Sequence, residues 1–126
     1  MVVRFEIVAK LYATLVVDDD PQVLAVVAEI LAAPGFTVLT AHDGYEAIRI
    51  LVERHVDLMI TDARMPGLDG IQLGLQAKLM RPRLHIIYIT AFADAARDAR
   101  HGKVLRKPVR AAELVRTVEQ ELKTTA

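Results

Sequence analysis

The chain has 126 residues and no cysteine, and its 16 basic and 16 acidic residues give a formal net charge of zero. A nucleic-acid-binding protein would carry a basic excess, and the absence of thiols excludes disulfides and cysteine chemistry. The length fits one domain that buries roughly two thirds of its unfolded surface. The apolar run at residues 15–17 is too short to cross a membrane, and charged residues interrupt residues 1–13. We therefore expect a cytoplasmic protein without a signal peptide.

Short apolar runs alternate with amphipathic stretches along the chain. The runs predict five strands, at residues 14–17, 36–41, 56–61, 85–90 and 103–106. Helical spacing predicts helices over residues 21–33, 43–52, 71–80 and 111–122, and a short polar helix over residues 94–101. Residues 1–13 have no clear period and form an N-terminal extension of unassigned function, ahead of a domain over residues 14–124. This alternation predicts an α/β fold, a parallel sheet with helices on both faces.

Polar side chains follow four of the five predicted strands. Asp18, Asp19 and Asp20 follow the first strand, Asp62 the third, Thr90 ends the fourth, and Lys107 follows the fifth. Because the carboxyl ends of parallel strands share one edge of the sheet, these residues are predicted to meet there. Clustered carboxylates require a proton, a lysine or a metal, and an oxygen-only ligand set suits Mg²⁺.

The same set suits phosphoryl transfer, which depends mainly on positioning and on charge stabilisation. Lys107 offers a point charge and Thr90 a hydroxyl donor, while Asp62 stands alone at the centre of the edge as the candidate nucleophile. Singly, these residues have ordinary interpretations, since Asp20 and Asp69 are good helix N-caps and a lysine before proline is commonly a surface residue. Their joint position at one edge of the predicted sheet favours a functional site. The four histidines have no metal-binding spacing and are interpreted as structural or surface residues: His42, His55, His85 and His101.

The chain resembles the receiver domain of two-component response regulators over about residues 13–124. The matching segments are Leu15-Val-Val-Asp-Asp-Asp-Pro21, Thr61-Asp-Ala-Arg-Met-Pro-Gly-Leu-Asp-Gly70, Ile89-Thr-Ala91 and Lys107-Pro108. The resemblance implies a five-stranded sheet in the order 2-1-3-4-5, the flavodoxin-like order. It also implies a switch that is not an enzyme beyond its own phosphoryl transfer and autodephosphorylation.

The resemblance implies that Asp62 accepts a phosphoryl group from a phosphohistidine of a histidine kinase or phosphotransfer protein. Asp19, Asp62 and the backbone carbonyl of Arg64 would hold Mg²⁺, with Asp18 acting through a bound water. Phosphorylation would change the binding of a downstream protein partner. No nucleic acid or membrane is expected as a partner, and a weak homodimer stays open.

By the same resemblance, Lys107 would pair with Asp62 and the phosphoryl oxygens, and Thr90 would turn toward the phosphoryl group as the switching step. The Lys107-Pro108 peptide is expected to be cis, as is usual in such receivers. Tyr88-Ile-Thr-Ala-Phe92 resembles a strand found in some stand-alone receivers and favours a single-domain regulator. A receiver cut from a larger protein stays open as well.

Two features depart from the family pattern. Val104 stands three residues before Lys107, where the family often has an aromatic residue that moves inward with the threonine; Phe92 is a candidate substitute. Lys107 follows Thr90 by only 17 residues, so we expect the helix between the fourth and fifth strands to be short, displaced or poorly ordered.

Two other functions stay open. In a phosphatase of the haloacid dehalogenase type, Asp18 would be the nucleophile, but Asp62 would be unexplained and Gln22 stands where a threonine is expected. In a receiver-like interaction module without phosphorylation, partner binding would be unchanged by Asp62→Asn.

Overall fold

The computed structural model describes residues 9–92, 99 and 101–123, which form five strands and four helices. The strands are β1 (Ala13–Val17), β2 (Thr37–Ala41), β3 (Leu58–Asp62), β4 (His85–Thr90) and β5 (Lys103–Arg106). The helices are α1 (Pro21–Ala32), α2 (Gly44–Glu53), α3 (Gly70–Met80) and α4 (Ala111–Lys123). All strand pairs are parallel and the order is β2-β1-β3-β4-β5, which confirms the predicted sheet.

The central strands are apolar on both sides because helices cover both faces of the sheet. Every residue of β3 is buried, and its side chains alternate between two cores. Met59 contributes to the core that includes buried residues of α2 and α3. Leu58 and Ile60 contribute to the other core, which includes buried residues of α1 and α4. Because β1, β3 and β4 end side by side, the polar residues at their carboxyl ends lie at one edge of the sheet.

Aspartate side chains cap the first three helices, and two of these caps, Asp20 and Asp69, were predicted. The Asp20 carboxylate accepts the amide of Gln22 at 2.9 Å, and the Asp43 carboxylate accepts the amide of Glu46 at 2.8 Å. Asp69 forms a capping box with Gln72, in which each side chain accepts a backbone N–H of the other residue. Asp20 and Asp69 thus have the structural role that the sequence assigned to them.

The predicted bounds of the third strand were wrong by one or two residues. The strand begins at Leu58 and includes Asp62, since Asp62 pairs with Ile89 in the parallel register. Asp57 lies before the strand, and its carboxylate accepts the N–H of Ala13 at 2.8 Å. Asp62 is therefore fixed by the sheet itself and does not lie on the following loop.

In α3, the side that faces the sheet is not the side that carries most of the large apolar residues. Leu75, Leu79 and Met80 are exposed, whereas Leu73 is buried together with small residues, Gly70, Gly74 and Ala77. The small residues bring the helix close to the sheet. A Cβ at Gly70 would overlap the Asp62 carbonyl oxygen, and one at Gly74 would overlap the Tyr88 phenol oxygen.

Two predictions fall largely outside the described residues. These are the short helix over residues 94–101 and residues 1–8 of the predicted extension. The rest of the extension contacts the domain, because Ala9 is fully buried and Tyr12 packs against the same core. Within the ranges given above, no helix combines the length and apolar character that a membrane crossing demands.

Candidate functional site

Three carboxylates meet at the carboxyl edge of the sheet. Asp18 and Asp19 directly follow β1, and Asp62 ends the neighbouring β3. One oxygen from each carboxylate lies within 4.8 Å of the other two. Asp18 and Asp62 are buried and Asp19 is exposed, so the cluster opens to solvent on one side.

Lys107 contributes the cation of the cluster. Its ammonium Nζ lies 3.0 Å from Asp62 Oδ2 and 3.4 Å from Asp18 Oδ2, and it bridges two strands that are not adjacent to β5. The Lys107 amide donates to the Thr90 carbonyl at 2.9 Å, which extends the β4–β5 pairing up to the site. The Lys107-Pro108 peptide is cis, as expected from the resemblance.

Burial and charge shift two pKa values in this cluster. Burial raises the pKa of the Asp18 carboxyl above its ordinary value, although the Asp20 amide and the Lys107 ammonium act in the opposite direction. Burial lowers the pKa of Lys107, but the hydrogen bond to Asp62 and the charges of Asp18 and Asp62 outweigh it, so the net pKa is raised. Lys107 therefore stays an ammonium at neutral pH.

The local backbone holds Asp62 in place. The Arg64 amide donates to Asp62 Oδ1 at 3.1 Å, and the loop then turns at Gly67, whose φ of +74° favours glycine. Gly70 returns the chain to the strand end, where the Asp62 carbonyl leaves no space for a side chain. One oxygen of the Asp62 carboxylate thus faces the Arg64 amide and the other faces Lys107.

Thr90 ends β4 beside this cluster and is fully buried. Its hydroxyl accepts the Phe92 amide at 3.0 Å and donates to the Phe92 carbonyl at 3.4 Å. Thr90 follows Ile89, the register partner of Asp62, and its hydroxyl is directed to the backbone of the following loop. Val104 is Tyr88's register partner on β5 and is partly buried.

An apolar groove, which no pattern in the sequence predicted, adjoins the site. Its volume is about 510 Å³, and it is lined by Gln22, Val23, Val26, Val27 and Ile30 of α1 and by Lys107, Pro108 and Val109. Val26 is 54% exposed, whereas Leu24 and Val27 of the same helix are buried. A helical-wheel comparison of Val26 with the buried Leu24 and Val27 could have indicated this outward face.

The donor set fits Mg²⁺. All three acidic groups of the cluster are carboxylates, and no histidine joins them among the described residues, so they offer the hard oxygen donors that Mg²⁺ prefers. Within the same part of the chain, one ammonium makes ion pairs in the cluster, with Asp18 and Asp62. Three carboxylates and one ammonium leave an excess of negative charge, which a divalent cation would balance.

Residues 14–119 match the family described as the response regulator receiver domain. The chain belongs to this family. The receiver domain is 35% identical over 117 residues to the transcriptional regulatory protein GlrR of Escherichia coli K12, covering 89% of this chain and 26% of that protein. It is also 35% identical over 116 residues to the receiver protein CpdR of Brucella abortus, covering 86% and 94% of the two chains.

Among solved structures, the response regulator protein TrrA of Thermotoga maritima, in complex with Mg²⁺-BeF, superposes with a TM-score of 0.79 at 27% identity. The alignment covers 87% of this chain and 98% of that one. The chain thus spans about a quarter of the first curated relatives and nearly all of CpdR. Receiver domains are generally non-enzymatic switches of two-component systems, and they interact with histidine kinases or phosphotransfer proteins.

Proposed function

We propose that this receiver domain is a phosphoaccepting switch in which Asp62 takes a phosphoryl group from a phosphohistidine of a sensor kinase or phosphotransfer protein. The observation that carries the proposal is the position of Lys107, whose Nζ lies 3.0 Å from Asp62 Oδ2 inside an acidic cluster. A buried carboxylate beside a fixed ammonium and a carboxylate pair combines a nucleophile with the charge stabilisation that phosphoryl transfer requires.

In the proposed step, an Asp62 carboxylate oxygen forms a bond to phosphorus while the bond from phosphorus to the histidine nitrogen breaks. The nitrogen keeps the electron pair and takes up a proton, so the donor leaves as neutral imidazole. Lys107 stabilises the phosphoryl oxygens as a point charge, because its ammonium already lies beside Asp62. Thr90 donates its hydroxyl to another phosphoryl oxygen, and the resulting rearrangement alters the binding of a downstream protein.

Asp18, Asp19 and Asp62 would hold Mg²⁺, with the Arg64 carbonyl as a further ligand and Asp18 acting through water. When bound, the ion neutralises charge on the transferring phosphoryl group. The oxygen-only donor set supports this assignment, as does the Mg²⁺-BeF complex of the TrrA relative. The Lys107 ammonium pairs with Asp18 and Asp62 whether or not Mg²⁺ is bound.

The apolar groove on α1 supports a protein as the phosphoryl donor. Val26 and Pro108 line it, and Lys107 borders both the groove and the acidic cluster. An apolar helix of the donor that occupies this groove would bring a histidine on its surface toward Asp62.

The domain over residues 14–124 and the cytoplasmic location are part of the same proposal.

The test is the intact mass of the protein after incubation with Mg²⁺ and acetyl phosphate, with Asp62→Ala alongside. We expect one phosphoryl adduct that requires both Mg²⁺ and Asp62. An adduct that survives Asp62→Ala but not Asp18→Ala, with turnover of p-nitrophenyl phosphate, would favour the phosphatase alternative. No adduct from acetyl phosphate or from a phosphohistidine donor, with partner binding unchanged by Asp62→Asn, would favour the interaction module.

A further inference from the structure

A second cavity lies at the amino edge of the sheet, at the opposite end of β3 from Asp62. Its volume is about 460 Å³, which is within the range of small-molecule sites in proteins. The rise of β3 from Leu58 to Asp62 is roughly 13 Å, so this amino-edge cavity is separate from the acidic cluster. The residues that line it include Tyr12, Val56, Arg81, Arg83, Leu84 and Leu122.

The inner wall of the amino-edge cavity is apolar. Val56, Leu84 and Leu122 are buried, and they come from the loop before β3, the loop before β4 and the end of α4. Tyr12, which precedes β1, adds an aromatic ring to the lining. An apolar wall with an aromatic ring beside it suits the flat body of an aromatic ligand.

Two guanidinium groups border the cavity without a carboxylate partner among the described residues. Arg81 has a structural role, because its Nη2 donates to the Leu51 carbonyl in the last turn of α2 at 2.6 Å, and a cation is favourable at that end of a helix. Arg83 is exposed, and its guanidinium has no such bond within the described part of the chain. A guanidinium of this kind at the mouth of a cavity is a recognition group for an oxyanion.

The carboxylate found among the described lining residues, Asp57, is already satisfied within the protein. Its Oδ2 accepts the Ala13 N–H at 2.8 Å, and its Oδ1 lies 2.8 Å from Nε2 of His55, which also lines the cavity. Two arginines against one aspartate give these lining residues a net positive charge. Asp57 therefore does not occupy the arginines, whose remaining N–H groups can bind a ligand.

The backbone fixes the arginines before any ligand binds. Pro82 restricts the loop between α3 and β4, and the Leu84 N–H donates to the Arg81 carbonyl at 3.0 Å. The His85 N–H donates to the Asp57 carbonyl at 3.2 Å, which holds this loop beside the start of β3. Little backbone ordering is left to oppose binding, so the cavity is preorganised.

We propose that the amino-edge cavity binds a small aromatic molecule that carries one oxyanion group, a carboxylate or a phosphate. The oxyanion lies on the guanidinium groups of Arg81 and Arg83, and the aromatic body lies against the apolar wall and the Tyr12 ring. This site is additional to the acidic cluster. Its ligand binds whether or not Asp62 accepts a phosphoryl group, so the proposed function is not a premise.

The test is a titration of the ¹⁵N-labelled chain, without Mg²⁺, followed by the amide chemical shifts. The probes are 2-naphthoate, 2-naphthyl phosphate and the neutral 2-naphthamide. We expect the largest shifts at residues 55–57 and 83–85, and at least one anion should bind about tenfold more tightly than the amide, because a hydrogen bond to a charged group is the stronger one. The tighter of the two anions identifies the oxyanion as a carboxylate or a phosphate.

Arg83→Gln should remove this preference for the anion, and Arg83→Lys, which keeps the charge without the planar fork, should restore part of it. Because Arg83 is exposed, both variants should fold. Arg110→Gln is the matched control, since Arg110 is exposed and does not line the cavity, and it should leave the preference unchanged.

Three results would overturn the proposal. The first is equal affinity for the anions and for 2-naphthamide, and the second is an equal effect of Arg83→Gln and Arg110→Gln. The third is shifts that are absent or confined to the groove on α1 or to the acidic cluster. None of these results bears on Asp62, which is tested separately by the phosphoryl adduct.

Discussion

Lys107 and Asp62 lie 45 residues apart in sequence, yet the Lys107 ammonium is 3.0 Å from the Asp62 carboxylate. The same ammonium is 3.4 Å from Asp18, so one cation joins the ends of β1 and β3. A partly buried ammonium shared by two carboxylates is held in a fixed position before any phosphoryl group arrives. The proposed catalytic contribution of Lys107 follows from this preorganisation.

Replacing Lys107 with methionine should slow phosphorylation of Asp62 by about a hundredfold, because one preorganised positive charge beside the reacting oxygens is lost. The rate of adduct formation by intact mass at fixed acetyl phosphate and Mg²⁺ measures this effect. Lys103→Met, at an exposed position of β5, is the matched control and should leave the rate unchanged. Equal rates for the two variants would show that Lys107 has no role in the transfer.

Asp19→Asn should weaken Mg²⁺ binding by about tenfold or more, because it removes one of three charged ligands from the site. Asp20→Asn is a close control, since Asp20 caps α1 and asparagine caps helices as well as aspartate does. Isothermal titration with MgCl₂ gives the affinity of each variant. If both substitutions weakened Mg²⁺ binding equally, the effect would come from the loss of one negative charge near the site, and Asp19 would not be a ligand.

Gly74→Ala should destabilise the protein by about 1–3 kcal/mol, as expected for overpacking in a core. The new Cβ would overlap the Tyr88 phenol oxygen. Combining it with Tyr88→Phe removes this oxygen and should recover part of the loss in denaturant unfolding. If the free-energy changes of the two substitutions simply added in the double variant, the Tyr88 phenol oxygen would not be the group that limits the space beside α3.

Tyr88 should also make stability depend on pH in the alkaline range. Burial, with a smaller contribution from the charge of Asp69, raises the pKa of Tyr88 from 10.0 to about 12. Between these values the unfolded chain loses the proton and the folded protein keeps it, so stability present below pH 10 falls as pH rises toward 12. The loss is about 2–3 kcal/mol.

The difference between wild type and Tyr88→Phe isolates this contribution, because every other titrating group is common to both proteins. Urea unfolding at pH 9 and near pH 11.5 should show a smaller loss of stability in the phenylalanine variant. An equal loss of stability in the two proteins over this pH range would mean that the Tyr88 phenol ionises without cost in the folded state.

The sequence was sufficient to predict the parts of this structure that depend on strand ends and caps. Asp18, Asp19 and Asp62 could be placed at one edge because parallel strands end together, and Asp20 and Asp69 could be recognised as caps from their local context. These features depend on residues close in sequence or on topology alone, and both can be read from patterns.

Other features depend on contacts that no local pattern encodes. Large apolar residues of α3 such as Leu79 face solvent because Gly74 and Tyr88 fit together across the helix and the sheet. Likewise, the sequence identifies Thr90 and Phe92 as candidates but not the direction of the Thr90 hydroxyl. That direction is set by the backbone after β4, because the Thr90 hydroxyl donates to the Phe92 carbonyl.

The most direct test of the central claim locates the phosphoryl group on the chain. Borohydride reduces an aspartyl-phosphate to homoserine, so phosphorylated protein can be reduced, digested and sequenced by tandem mass spectrometry. Homoserine at position 62, absent when Mg²⁺ is omitted, is the result we predict. Homoserine at position 18 or 19, or an unreduced adduct on another residue type, would contradict Asp62 as the phosphoacceptor.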